Sequence, residues 1–165
     1  LANAVFHKHD VLLVILDNGT TAMTGHQPNP GVCTSVLGEG CNHLDIESVV
    51  RGIGVTDVAK VKPFNMRGTL KTIEEMKARS GVRVIIAEEP CMLFARRTLK
   101  QNRPQVAEVA TQGEEALKCL AELACPAFRR GGTAEAPVVS VDESQCSGCM
   151  VCLQVTPAIR ARKRS

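Results

Sequence analysis

Two short runs in this chain are apolar at nearly every position, Val11-Leu-Leu-Val-Ile-Leu16 and Val82-Arg-Val-Ile-Ile-Ala87. A strand with one wet face alternates apolar and polar residues. A run apolar on both faces must be covered on both, as a parallel strand between two helix layers is. The first run ends at Asp17-Asn18-Gly19, a turn signal, and residues 55–61 form a weaker strand between the two. Helical spacing occupies residues 45–52, where Asp45 can cap and Ile46, Val49 and Val50 share a face. A second helix is expected over residues 69–79, with Leu70, Ile73 and Met76 inward. This alternation predicts an α/β layered domain around a parallel sheet, with Val11–Leu16 as a central, buried strand. Residues 25–40, with four Gly and two Pro, read as an irregular loop beyond that strand's carboxyl end. Open α/β sheets place ligands there.

The pattern changes after about residue 105. One short helix is expected over residues 114–123, broken by Cys125-Pro126. Residues 127–137, containing Arg129-Arg130-Gly131-Gly132, read as a connection, and Val138-Val-Ser-Val141 reads as a short strand. A length of 165 residues suits one domain plus a small module. We expect the boundary after residue 112, giving 1–112 and 113–165.

Composition excludes several roles. With no Trp, no Tyr and four Phe, the chain lacks the rings for a base-stacking platform. Four of its twenty Lys and Arg (Arg160, Arg162, Lys163 and Arg164) lie in the last six residues. A near-neutral body with a solvated, flexible basic tail is the expectation, with no nucleic-acid partner. No apolar run approaches the roughly twenty residues of a membrane helix, and the opening residues lack the order of a secretion signal. Leu1 is not a Met and residues 1–10 read like the middle of a helix, so an N-terminally truncated chain is expected.

Eight cysteines remain to be placed. Cys146-Ser-Gly-Cys149-Met-Val-Cys152 is a C-x2-C-x2-C run, the spacing with which bacterial ferredoxins wrap one face of an iron–sulfur cube. The position for a fourth cysteine before proline holds Thr156-Pro157, whereas Cys125-Pro126 upstream has the required form. The segment before Cys125 holds no triplet of its own. One 4Fe-4S cluster on Cys125, Cys146, Cys149 and Cys152 is therefore the coherent reading. A four-cysteine zinc site, usually built from two separated pairs, and a disulfide framework fit less well. Cys33, Cys41, Cys91 and Cys119 read as small buried hydrophobes or incidental thiols.

The segment Leu16-Asp17-Asn18-Gly-Thr20-Thr-Ala-Met23-Thr24-Gly25-His-Gln27-Pro-Asn-Pro30 resembles the thiamine-pyrophosphate-binding subunit of 2-oxoacid:ferredoxin oxidoreductases, the large subunit of the indolepyruvate branch in particular. The likeness continues through Asp45-Ile-Glu-Ser-Val-Val-Arg-Gly-Ile-Gly54 and into the cysteine-rich C-terminus, so it covers nearly the whole chain. It implies the C-terminal part of a thiamine-diphosphate-binding parallel-sheet domain followed by a small α+β ferredoxin-like 4Fe-4S module. Asp17, Asn18, Thr20, Met23, Thr24 and Gly25 would line the thiamine diphosphate. Asn18 and a backbone oxygen at Thr20 would ligate Mg2+, whose near-octahedral shell wants hard oxygen donors. Met23 stands where a related pyruvate enzyme is polar, and His26 where Gly is common. The family's Gly-Asp half-motif, which brings a carboxylate to the metal, would lie upstream of Leu1.

The resemblance further implies a cytoplasmic enzyme that decarboxylates an arylpyruvate such as indolepyruvate and passes the acyl group to coenzyme A. Electrons would leave through the cluster to ferredoxin, and a smaller beta subunit would complete the assembly. His7, His9 and His43 gain no role from it and read as surface or helix-end residues. A competing expectation is an electron-transfer protein whose thiamine-binding segment is a non-catalytic remnant.

Overall fold

The two aliphatic runs pair with each other. The computed structural model describes residues 1–32, 42–97 and 103–164, which divide into two units, Leu1–Lys100 and Gln101–Ser165. The first contains α1 (Ala2–Phe6), β1 (Val11–Asp17), α2 (Ile46–Gly52), β2 (Asp57–Val61), α3 (Met66–Lys77), β3 (Val82–Glu88) and α4 (Met92–Arg97). Its three strands are parallel in the order β1-β3-β2, with Val14 opposite Ile85 and Ala59 opposite Ile85 on the other side.

β3 is buried on both faces. Val84 and Ile86 pack with Val50 and Val55 on one side; Ile85 and Ala87 pack with Val61 and Met76 on the other. Side chains alternate along a strand, so α2 supplies cover to one face and α3 to the other. The chain order explains the split. The crossover from β1 to β2 and the return from β2 to β3 run in opposite directions across the sheet, and crossovers of one hand then put their helices on opposite faces.

β1 departs from expectation. Its sequence is as apolar as that of β3, yet Leu13, Val14 and Leu16 are exposed, Leu16 at 77%. Among the described residues β1 pairs only with β3 and stands at the sheet edge rather than at its centre.

Both expected helices form. Asp45 caps α2 by accepting from Ser48 N at 2.9 Å, and the hydrogen bond from the Ser48 hydroxyl, together with that cap, holds its carboxyl below the usual range. α3 starts earlier than its periodicity suggested, at Met66, because Asn65 Oδ1 accepts from Gly68 N at 3.2 Å and supplies the cap. α4 carries no strong periodic signal and was not expected. No helix among the described residues is long and apolar enough to cross a membrane.

The second unit contains β4 (Gln105–Val109), α5 (Glu114–Glu122), β5 (Phe128–Gly132), β6 (Pro137–Val141), α6 (Cys152–Val155) and β7 (Ile159–Lys163). It consists of two β-α-β halves. β4 pairs antiparallel with β7, and β5 with β6. Cys125-Pro-Ala-Phe128 leads into the last strand of the first half, and Thr156-Pro-Ala-Ile159 into that of the second. The core uses small side chains: Val106, Ala107, Ala116, Cys119, Ala127, Val139, Ala158 and Ile159 around one Phe, Phe128.

Three expectations change here. The units part at Lys100/Gln101 rather than after residue 112, because the partner of β4 is β7, distant in sequence. Residues 127–137 are not a bare connection but hold β5 and a hairpin turn, closed where Thr133 N donates to Ala136 O at 3.2 Å; Arg-Arg-Gly-Gly hides a strand because Gly is depleted in strands. The basic C-terminus is not a flexible tail either. Arg160, Arg162 and Lys163 belong to β7, Arg160 pairs with Glu108 at 2.8 Å, and Arg162 pairs with Glu143.

Candidate functional site

The first candidate site is the turn beyond β1. Asp17 and Asn18 fold the chain back on their own side chains: Gly19 N donates to Asp17 Oδ1 and Thr20 N to Asn18 Oδ1, each at 3.1 Å. Short polar residues favour such turns because the side-chain oxygen mimics a backbone acceptor. The turn is also tied to the end of β3, since Glu89 N donates to Asp17 O at 3.0 Å and Cys91 N to Asn18 O at 2.9 Å. Asp17, Asn18 and Thr20 therefore sit together at the carboxyl edge of two adjacent parallel strands.

The next residues make a small closed loop. Ala22–Thr24 is one 3-10 turn ended by Gly25 in the left-handed region (φ +106°), and Thr21 bridges Gln27. Thr24 Oγ1 donates to Gln27 Oε1 at 2.7 Å, and Asn29 Nδ2 donates to Thr21 Oγ1 at 3.2 Å. Met23 stands fully exposed, so its side chain lines no enclosed space here. His26 also takes a left-handed conformation, φ +64°, with its ring 5.3 Å from that of Phe94 in α4. Residues 33–41, and with them Cys33 and Cys41, lie outside the described residues.

Thr20 is 8% exposed, and its hydroxyl has no hydrogen-bond partner. Leaving such a group unpaired costs about 1–3 kcal/mol. A polar ligand at this turn would supply the missing partner. Asn18 Oδ1 accepts one hydrogen bond and has capacity for a second interaction. The donor set, an amide oxygen, a hydroxyl and backbone carbonyls, is the hard-oxygen chemistry a magnesium diphosphate requires.

The second candidate site is enclosed by the other unit. Cys125, Cys146, Cys149 and Cys152 all line one partly open cavity of about 160 Å³, whose other walls are mostly apolar and include Leu123, Phe128 and Val141. Cys119 is fully buried but is not among the lining residues. Gly148 and Met150, both at positive φ (+72° and +59°), shape the triplet. Gly148 has a steric reason as well: a Cβ there would lie 2.6 Å from Gln105 O and 2.8 Å from Arg103 Cβ. Ala107 N donates to Cys146 Sγ at 3.5 Å. Arg164 Nη2 donates to Cys146 O at 2.7 Å and Nη1 to Glu143 O at 3.2 Å, bracketing the start of the loop.

Among the described residues no group of three or more His, Cys, Asp or Glu is placed to hold a metal ion. Burial, reinforced by the neighbouring thiols, pushes the Cys152 thiol up to about 12, and burial pushes Cys119 up to about 11. Thiolates become stable in such surroundings when a bound cation compensates their charge.

At Thr156-Pro157, the counterpart of Cys125-Pro126, the hydroxyl is buried and donates to Glu115 Oε2 at 3.0 Å. Ala158 N donates to the same hydroxyl at 3.2 Å. A hydrogen-bonded threonine thus fills the position where a ligand cysteine was absent. Sequence reasoning missed Arg164, the Ala107 amide and Phe128, whose places depend on strand pairing. Gly148 was visible only as the glycine inside the triplet.

Residues 1–87 match the family described as thiamine pyrophosphate enzyme, C-terminal TPP binding domain. This chain belongs to the thiamine pyrophosphate enzyme family. It is also 39% identical over 158 residues to the indolepyruvate oxidoreductase subunit IorA of Archaeoglobus fulgidus, covering 95% of this chain and 25% of that protein. The subunit of the same name from Methanothermobacter thermautotrophicus is 40% identical over 162 residues, 96% of this chain and 24% of that protein. That of Pyrococcus abyssi is 36% identical over 160 residues, 95% and 24%. The chain spans about a quarter of the length of the curated relatives it matches. No solved structure matches it. The expected kinship with the indolepyruvate oxidoreductase large subunit stands, and it extends over both units.

Proposed function

We propose that this chain carries the strand-end thiamine diphosphate loop and a single 4Fe-4S cluster of a 2-oxoacid oxidoreductase acting on an arylpyruvate such as indolepyruvate. The observation that carries the reading is the shared cavity of Cys125, Cys146, Cys149 and Cys152, in a chain whose first unit belongs to a thiamine pyrophosphate family. When bound, thiamine diphosphate supplies the electron sink for decarboxylating a 2-oxo acid, and the cluster takes up electrons singly.

The chain's own residues do the positioning. Asn18 and the Thr20 carbonyl would hold Mg2+, Asp17 fixes the turn through the Gly19 amide, and Thr24 with Gly25 shapes the loop beside the cofactor. Met23, exposed on that loop, would meet the substrate side. In the second unit the four cysteines would hold the cluster, with the Ala107 N–H aimed at Cys146 Sγ. Apolar lining limits water access and thereby tunes the cluster's potential.

Coenzyme A as acyl acceptor, ferredoxin as electron acceptor, a smaller beta subunit and a cytoplasmic location complete the proposal. Reducing conditions keep cluster thiols available.

Anaerobic purification followed by iron and sulfide analysis tests the reading. About four irons and four sulfides per chain with a visible absorption band are expected, together with a melting temperature raised by thiamine diphosphate and Mg2+. Stoichiometric zinc without a chromophore would overturn the cluster. A full cluster with no response to thiamine diphosphate would favour an electron-transfer protein with a non-catalytic first unit.

A further inference from the structure

We infer that His26, together with the Thr20 hydroxyl, hydrogen-bonds the diphosphate held by the strand-end loop, an inference that rests on the function proposed above. Three buried polar side-chain atoms among the described residues lack a partner: Thr20 Oγ1, His26 Nδ1 and Arg164 Nε. The third belongs to a guanidinium whose other nitrogens are bonded. The first two lie seven residues apart, counted inclusively, on one loop.

The contrast with their neighbours gives the pair its meaning. Asp17, Asn18, Thr21, Thr24, Gln27 and Asn29 all have hydrogen-bond partners. Native structures pair nearly all buried polar groups, so two orphans on an otherwise satisfied loop mark a place where something else pairs them.

The fold holds His26 there against its own preference. It takes φ +64°, a region that glycine enters without the cost a side chain incurs. Its backbone N donates to Thr21 O at 3.0 Å, and Phe94 braces its ring. Phe94 lies on α4, just beyond β3, while Thr20 lies just beyond β1. The two side chains therefore belong to the carboxyl edge of adjacent parallel strands, where such sheets hold ligands. A hydroxyl and an imidazole N–H both donate, and phosphate oxygens accept.

The test uses the protein isolated in its native assembly, with inorganic pyrophosphate plus Mg2+ as the probe and calorimetry as the readout. His26→Gly and Thr20→Val should each weaken pyrophosphate binding about tenfold, the loss of one hydrogen bond to a charged group. Both should leave the unliganded melting temperature equal or higher, since one relieves the left-handed side chain and the other removes an unpaired hydroxyl. Lower stability with unchanged affinity would overturn the inference as a merely structural role. Unchanged affinity in both variants, with the parent binding normally, would overturn it and leave the proposed function standing. Weakened binding confined to a 2-oxo acid such as phenylpyruvate would also overturn it. Absence of binding by the parent to both pyrophosphate and thiamine diphosphate would remove the thiamine reading itself.

Discussion

The two candidate sites are built on opposite principles. The strand-end loop is a polar structure held by short-range hydrogen bonds such as Gly19 N to Asp17 and Thr20 N to Asn18. The cysteine cavity is a largely apolar pocket whose walls come from residues 107 to 152, brought together by strand pairing. A loop of local turns keeps its shape when one side chain changes. A cavity assembled from distant segments does not, because each wall depends on the others being in place.

That contrast sets the order of expected effects. The largest belongs to the proposed cluster ligands: Cys149→Ser should abolish the cluster's visible absorption and at least halve the iron content, while Cys119→Ser should leave both intact. Iron analysis and visible absorption of the two variants would decide this, and equal losses would erase the distinction between lining and merely buried thiols.

Next comes the β3 core. Ile85→Ala removes a 1%-exposed side chain and should cost about 2–5 kcal/mol in denaturant unfolding. Leu16→Ala, in the equally apolar β1, should cost less than about 0.5 kcal/mol because Leu16 is already 77% exposed. A similar large cost at both would mean that β1 is covered in solution.

Gly148→Ala should destabilise the second unit by about 1–3 kcal/mol, because the added methyl meets the Gln105 carbonyl and Arg103. Thermal melting would register it, together with slower cluster loading; an unchanged melting temperature would show that β4 can yield.

The smallest effect concerns pH. The hydrogen bond from Lys118, and then that from Thr156, hold the Glu115 carboxyl below its ordinary value of 4.5. A carboxyl depressed in the folded state stabilises fully above its unfolded value, and that contribution is lost as pH falls through the folded value. Glu115→Gln should therefore lower urea resistance slightly at neutral pH, where that contribution is fully present, and flatten its further loss below about pH 4.5. An identical acid slope in parent and variant would dismiss the link.

Much of this was legible because the determining interactions are local or periodic. The Asp45 cap, the helical faces of α2 and α3, the turn at Asp17-Asn18-Gly19 and the cysteine spacing each depend on residues a few positions apart. β5, hidden in Arg129-Arg130-Gly131-Gly132, and β7, whose basic residues read as a flexible tail, are not legible: each is a strand only because a partner strand satisfies its backbone. The same holds for His26. Its left-handed backbone and unpaired ring nitrogen follow from bonds and packing that no spacing announces.

By itself the sequence determined the α/β character of the first unit, the turn beyond β1 and the tight spacing of the Cys146, Cys149 and Cys152 triplet. Those follow from side-chain periodicity, turn chemistry and ligand spacing, all carried by the chain alone. Tertiary structure decided which of two equally apolar strands is buried, and that four separate thiols line one cavity while Cys119 stays outside it. Burial depends on what packs against a residue, and neighbours distant in sequence become neighbours only after strands pair.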